Sequence, residues 1–275
     1  MIVAQQHIIV LLIKKGGLNM VKKYLFFDID GTLTNDNPGG IVLDSTKQTI
    51  KKLQENGHFV AIASGRAHWM AMDACEMTGI YNLVHDGGNG LTLNGQLQYI
   101  KPLDRELSLT LIDELLKNDL SFEVVIDDTP IHYTHVPKPG SVWQIKVVEN
   151  LNYHDLKEIY KIFINLDYEQ IQAYPEIVSL CDQLGYMFYP TTGVIVEPTD
   201  KYQGIVEMVK LVGGDLNEIV VFGDGTNDIS MFEHAPMSIA MANGVDKLKE
   251  IATFITKSNK ENGIEYACKY FGWID

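Results

Sequence analysis

A chain of 275 residues with 46% apolar content can bury a substantial core, and its length permits one domain or two. Its formal charge of −14 repels a phosphate backbone, which argues against nonspecific nucleic-acid binding and makes local cations a requirement for any phosphate ester that enters. A mean hydropathy of −0.02 argues against membrane residence; the apolar run at residues 8–13 is too short to span a bilayer, and Lys14 and Lys15 follow it, the wrong order for a secretory signal.

Residues 1–19 read as an extension ahead of the domain or as an upstream start-site artefact, with an added edge strand or interaction segment as the other reading. The apolar stretch 24–27 suits a buried parallel strand, and Asp28-Ile29-Asp30-Gly31-Thr32 ends it. Residues 43–53 carry helical spacing through Leu43, Thr46, Ile50 and Leu53. A second strand at 59–63 stops at Ser64-Gly65-Arg66, a helix runs on through Met77, and a third strand is expected at 81–84.

The middle of the chain changes texture. Asn94-Gly95 suits a tight turn between strands at 91–93 and 97–100. Helices are expected at 106–117, 154–160 and 170–184, the last bent near Pro175, and strands at 122–126, 142–148, 161–166, 186–189 and 193–197. Helix and strand then alternate again: a helix at 204–212, a strand at 219–222 ending in Gly223-Asp224-Gly225-Thr226-Asn227-Asp228, a helix from about residue 227, strands at 238–241 and 253–255, and a closing helix at 263–270. The pattern predicts an α/β fold with a parallel core sheet built from 20–86 and 191–275, interrupted by an α+β insertion at 87–190.

One acidic strand end is commonly a turn or a helix cap. Two polar strand ends followed by a third acidic loop are harder to assign to turns, because ligands of parallel sheets gather beyond the carboxyl ends of their strands. Asp28 and Asp30 alternate onto one face if the backbone stays extended. Asp224 and Asp228 offer hard oxygen ligands.

Asp28-Ile29-Asp30-Gly31-Thr32, Ser64, Lys201 and Gly223-Asp224-Gly225-Thr226-Asn227-Asp228 stand in that order. On these four segments, and over residues 20 to 275, the chain resembles the haloacid dehalogenase-like hydrolases, in particular Cof-type phosphatases with a type IIB-like cap. The resemblance implies a Rossmann-like core, an inserted substrate-specificity cap and magnesium-dependent phosphoryl transfer. By that resemblance Asp28 is the nucleophile that forms an aspartyl-phosphate, and Asp30 is the acid and base. Thr32, Ser64, Lys201 and Asn227 are expected at the phosphate. Asp28, Asp224 and Asp228, with the backbone carbonyl of Asp30, are expected at Mg2+, Asp228 either directly or through water. Lys201-Tyr202 stands where relatives commonly continue with glycine, and the Asp86-Gly87-Gly88 prefix is looser than the usual asparagine-glycine segment.

Arg66, Gly87 and Gly88 are candidate substrate contacts, with a helix-start residue and a domain hinge as their plainer readings. His132 and His135 stand three apart without an evident acidic partner, a weak metal signal, and Trp69, Trp143 and Trp273 have no stacking pattern. Cys75, Cys181 and Cys268 are scattered and odd in number, which suggests a reduced, cytoplasmic setting with incidental thiols. The expected partner is a small phosphorylated metabolite, sugar phosphates included, with no nucleic acid and no membrane. The alternatives are a phosphotransferase or phosphomutase on the same core, and a noncatalytic sensor of phosphorylated metabolites.

Overall fold

The computed structural model describes residues 21–135, 144–148, 151–189 and 192–275. The readings made for residues 1–19 and for the start of the strand at 142–148 lie outside them. In chain order the strands are β1 (Tyr24–Phe27), β2 (Phe59–Ala63), β3 (Leu83–His85), β4 (Gly90–Leu93), β5 (Gln96–Ile100), β6 (Phe122–Val125), β7 (Ile131–Thr134), β8 (Gln144–Val147), β9 (Lys161–Ile164), β10 (Tyr186–Tyr189), β11 (Gly193–Val196), β12 (Ile219–Gly223), β13 (Met237–Ala240) and β14 (Phe254–Ile255).

They form two sheets. The larger runs β14-β13-β12-β1-β2-β3-β4-β5, parallel from β14 to β3 and antiparallel beyond. Strand order reverses across β1, which has β2 on one side and β12 on the other, and this is the crevice where doubly wound sheets hold ligands. β1 is apolar throughout because both of its faces are covered. Leu25 and Phe27 pack with Ile50, Leu53, Cys75 and Ile264, while Phe26 on the opposite face packs with Ile205, Met208 and Val209. Among the described residues no helix is long and apolar enough to cross a membrane.

The smaller sheet runs β10-β11-β9-β6-β7-β8 and has its own core, in which Leu111, Ile112 and Leu115 of helix Arg105–Lys117 meet Phe122, Ile162 and Val194. By sheet membership the chain divides near residues 101 and 197 rather than at the expected 87 and 190. The β4–β5 hairpin extends the larger sheet because the turn at Asp86–Gly88, with φ positive at all three residues, folds β4 back onto the β3 edge, and Asn94 (φ 51°) and Gly95 (φ 75°) fold β5 onto β4. β11 lies between β10 and β9 in the smaller sheet.

Two expected helices differ. Residues 154–160 form only a short turn, Tyr153–Asp155, because the Ile159 carbonyl already accepts from the Leu103 amide and the Tyr160 amide donates to the Val125 carbonyl. The single bent helix at 170–184 is two, Tyr168–Ile171 and Pro175–Leu184, with Pro175 opening the second, where its missing amide costs nothing. β7 is not among the strands expected from the sequence.

Helix Lys201–Leu211 lies so close to β3 that a Cβ on Gly204 would stand 2.5 Å from Val84 Cγ1 and 2.8 Å from the Gly88 carbonyl oxygen. Gly204→Ala is therefore expected to destabilise the fold by about 1–3 kcal/mol despite alanine's better helix propensity. A urea unfolding midpoint equal to that of the parent protein would refute this account of the packing.

Candidate active site

Three carboxylates converge beyond the carboxyl ends of β1 and β12. Asp28 follows β1 directly, and its amide donates to the Phe222 carbonyl (3.0 Å), so the strand pairing itself fixes its backbone. Asp224 follows β12, and Asp228 lies one turn further on. All three are buried, and each offers a carboxylate oxygen within 4.8 Å of the other two.

Lys201 enters this cluster from the first residue of its helix. Its Nζ donates to Asp28 Oδ1 and Asp228 Oδ1, both at 2.6 Å, and the residue is 1% exposed. The other oxygen of Asp228 accepts from the amides of Asp224 (2.9 Å) and Gly225 (3.0 Å), so Asp228 also shapes the loop that carries Asp224. Asp200 caps the lysine's helix by accepting from the amides of Tyr202 and Gln203.

The segment after Asp28 makes a single wide turn, with Leu33 N donating to Asp28 O (3.3 Å) and Thr34 N to Ile29 O (3.0 Å). Gly31 turns it at φ +81°, and a Cβ there would stand 2.2 Å from Asp224 Oδ2, so only glycine fits. Thr32 Oγ1 donates to Asp224 Oδ1 at 2.9 Å. Its hydroxyl thus faces an aspartate.

Asp30 points elsewhere. Its carboxylate takes a fork from Arg66, Nε to Oδ2 at 2.9 Å and Nη2 to Oδ1 at 2.6 Å, and the Gly39 amide adds a third donor at 2.6 Å. Its side chain stands outside the aspartate cluster. Arg66, an expected substrate contact, is instead bound to the expected acid and base. Ser64 is buried at the end of β2, its Oγ accepting from the Arg66 amide (3.2 Å), which leaves the hydroxyl proton to donate. Asn227 is half-buried beside Gly225. Gly87 and Gly88 meet backbone: a Cβ on either would strike the carbonyl oxygen of Pro198 (1.7 Å) or Asp200 (2.1 Å), where the chain returns from the smaller sheet.

Asn243 and Asn259 escaped the sequence reading. Asn243 Nδ2 donates to Gly31 O (2.8 Å) and Asn259 Nδ2 to Thr34 O (2.9 Å), so both brace the turn after Asp28. They follow β13 and β14, and their place beyond strand ends was the available signal. His132 has the acidic partner that was not evident: its Nδ1 lies 2.9 Å from Glu123 Oε2, far along the chain from the aspartates, while His135 Nδ1 meets the Tyr153 hydroxyl at 2.9 Å. The three cysteines are buried thiols.

The electrostatics of the cluster favour a divalent cation. Three buried carboxylates meet at one ammonium, which bonds only Asp28 and Asp228. Burial, aided by the charge on Asp228, pushes the Asp28 carboxyl well above its ordinary range and the Asp224 carboxyl up to about 6. Hard oxygen donors with excess negative charge are the set magnesium takes, and Asp28, Asp224 and Asp228 form that site.

Comparison with known proteins places this geometry. Residues 25–268 match the family of haloacid dehalogenase-like hydrolases. The chain belongs to that family. Within it, the sequence is 30% identical over 260 residues to "Putative phosphatase YkrA" of Bacillus subtilis, covering 93% of this chain and 100% of that protein. A hypothetical protein from Geobacillus kaustophilus HTA426 superposes with a TM-score of 0.79 at 27% identity, covering 92% of this chain and 100% of that one. The HAD subclass IIB sugar phosphatase BT4131 superposes with a TM-score of 0.74 at 23% identity, over 92% of this chain and 100% of that one, so the likeness in fold takes in the inserted domain. The protein is a Cof-type hydrolase of the haloacid dehalogenase-like family, with a Rossmann-like core and a cap, and its aspartate cluster suits magnesium-dependent phosphoryl transfer through an aspartyl-phosphate.

The raised value for Asp224 sets a pH dependence. A carboxyl that titrates near 6 when folded and near its ordinary value of about 4 when unfolded adds stability below the lower value. That contribution is lost as pH rises through the upper one. Magnesium ligation removes the penalty, so the rise in melting temperature on adding magnesium is expected to be larger at about pH 7.5 than at about pH 5. A magnesium effect that is flat or larger at the acid end would refute it.

Proposed function

We propose that the protein hydrolyses small-molecule phosphate monoesters, sugar phosphates among them, with Asp28 as nucleophile. One observation carries the reading: the Lys201 ammonium holds Asp28 at the sheet's switch point, beside two further carboxylates suited to a dication. The name of BT4131, a sugar phosphatase, supports the substrate class.

In the first step a carboxylate oxygen of Asp28 attacks phosphorus, the bond to the leaving oxygen breaks, and Asp30 gives that oxygen its proton. In the second, Asp30 as carboxylate takes a proton from water, which attacks the aspartyl-phosphate and frees inorganic phosphate and Asp28. The Arg66 fork occupies both carboxylate oxygens of Asp30, so it must loosen as the ester enters. Ser64 donates its remaining proton to a phosphoryl oxygen, Lys201 neutralises another, and Asn227 orients the phosphate from the loop after β12. Thr32 acts through Asp224, which it holds by a hydrogen bond. When bound, magnesium is held by Asp28, Asp224 and Asp228, with the Asp30 carbonyl as a further ligand, and supplies positive charge against the phosphoryl oxygens. The smaller sheet and its helices act as the cap that selects the leaving group.

A screen of phosphorylated metabolites with magnesium tests the reading. Phosphate release without an added acceptor is expected, and Asp28→Asn should lower kcat by roughly 10³-fold or more while the protein stays folded. Unchanged turnover in Asp28→Asn would remove the nucleophile. Transfer to an added sugar with no release to water would replace hydrolysis by phosphotransfer, and tight binding of phosphorylated ligands with no turnover would leave a sensor.

A further inference from the structure

The segment between β2 and the helix that follows it is gripped from the smaller sheet's domain at two points. At one end, Lys161 Nζ, projecting from β9, donates to the Gly65 carbonyl at 2.8 Å and is paired with Glu197 Oε2 at 2.5 Å. At the other, Asp128, on the loop between β6 and β7, accepts from the Trp69 amide (2.9 Å) and meets His68 Nδ1 at 2.6 Å, which caps helix His68–Thr78 from outside the larger sheet's domain. Between the two grips stands Arg66, forked onto Asp30. A buried lysine normally costs desolvation, and here the pairing with Glu197 offsets it. Glu197 is fixed in turn by the Tyr189 hydroxyl at 2.9 Å. Neither grip touches the aspartate cluster.

We propose that Asp128 and Lys161 are positioning residues for the second chemical step: cap docking through them sets residues 65–69, and so places the Arg66 fork that orients the Asp30 side chain toward the attacking water. The inference rests on the reading of Asp30 as acid and base. It makes cap docking a requirement for breakdown of the aspartyl-phosphate, beyond any contact with the leaving group.

The test is burst kinetics with p-nitrophenyl phosphate and magnesium. Its leaving group departs without a proton, so formation of the aspartyl-phosphate does not depend on Asp30. In Asp128→Ala the first-turnover burst of nitrophenol should stay fast and its amplitude rise toward one per active site, steady-state turnover should fall about tenfold, and phosphorylated protein should accumulate by intact mass. Asp128→Asn, which keeps an acceptor for the Trp69 amide, should restore most of the turnover. The Lys161→Met/Glu197→Gln pair, which removes the ammonium without leaving a carboxylate buried alone, should repeat the Asp128→Ala result, and is read on the same criterion if Asp128→Ala does not fold. Turnover equal to the parent's, or a burst amplitude that falls in step with turnover, would overturn the proposal. Asp30→Asn separates this failure from that of its premise. If Asp30→Asn shows the same accumulation and the cap variants do not, the docking role is wrong; if Asp30→Asn shows none, the acid and base assignment itself is wrong.

Discussion

The ammonium of Lys201, shared between Asp28 and Asp228, is the contact on which the site depends. Carboxylates packed this closely repel one another, and burial removes the water that would screen them. Removing one partner of such a pair typically costs about 3–5 kcal/mol, because the remaining charge is left buried and uncompensated. Asp228 and Asp28 hold Lys201 protonated against its own burial. The lysine opens an eleven-residue helix whose N-terminal dipole also favours anions at that end.

The neutralisation is incomplete, and that has a chemical use. A site with enough cation to bring the carboxylates together, but not enough to satisfy them, retains affinity for a dication, whose remaining charge can offset the phosphoryl oxygens. A second lysine in the cluster would raise stability at the expense of metal affinity. The wide turn from Ile29 to Leu33 serves the same arrangement, since Gly31 alone clears Asp224 and the two asparagines beyond β13 and β14 keep the turn in place.

Most of the core was legible because its signals are local. A buried parallel strand is a short apolar run, and the run that ends at Asp28 has no other good reading. Lys201, far along the chain from Asp28, was identified by resemblance, since a lysine opening a helix ordinarily faces solvent. What escaped depended on partners distant in sequence. The fork between Arg66 and Asp30 spans 36 residues and the contact of His68 with Asp128 spans 60, and neither leaves a periodic trace. The domain limits were displaced for a related reason: a hairpin joins whichever sheet offers it a free edge, and β3 offered one to β4.

The two sheets also divide the chemistry unequally. The larger one supplies groups whose positions follow from strand ends, so their spacing in the chain already implies their convergence. The smaller one supplies Asp128 and Lys161 from a loop and a strand, along with Glu197 just past another strand, and their relevance appears only when the two domains touch. Reaction type is written in motifs because it needs the same atoms in the same places for every ester. Leaving-group preference needs only a surface complementary to one molecule, which many sequences can build, and so it leaves no motif to read.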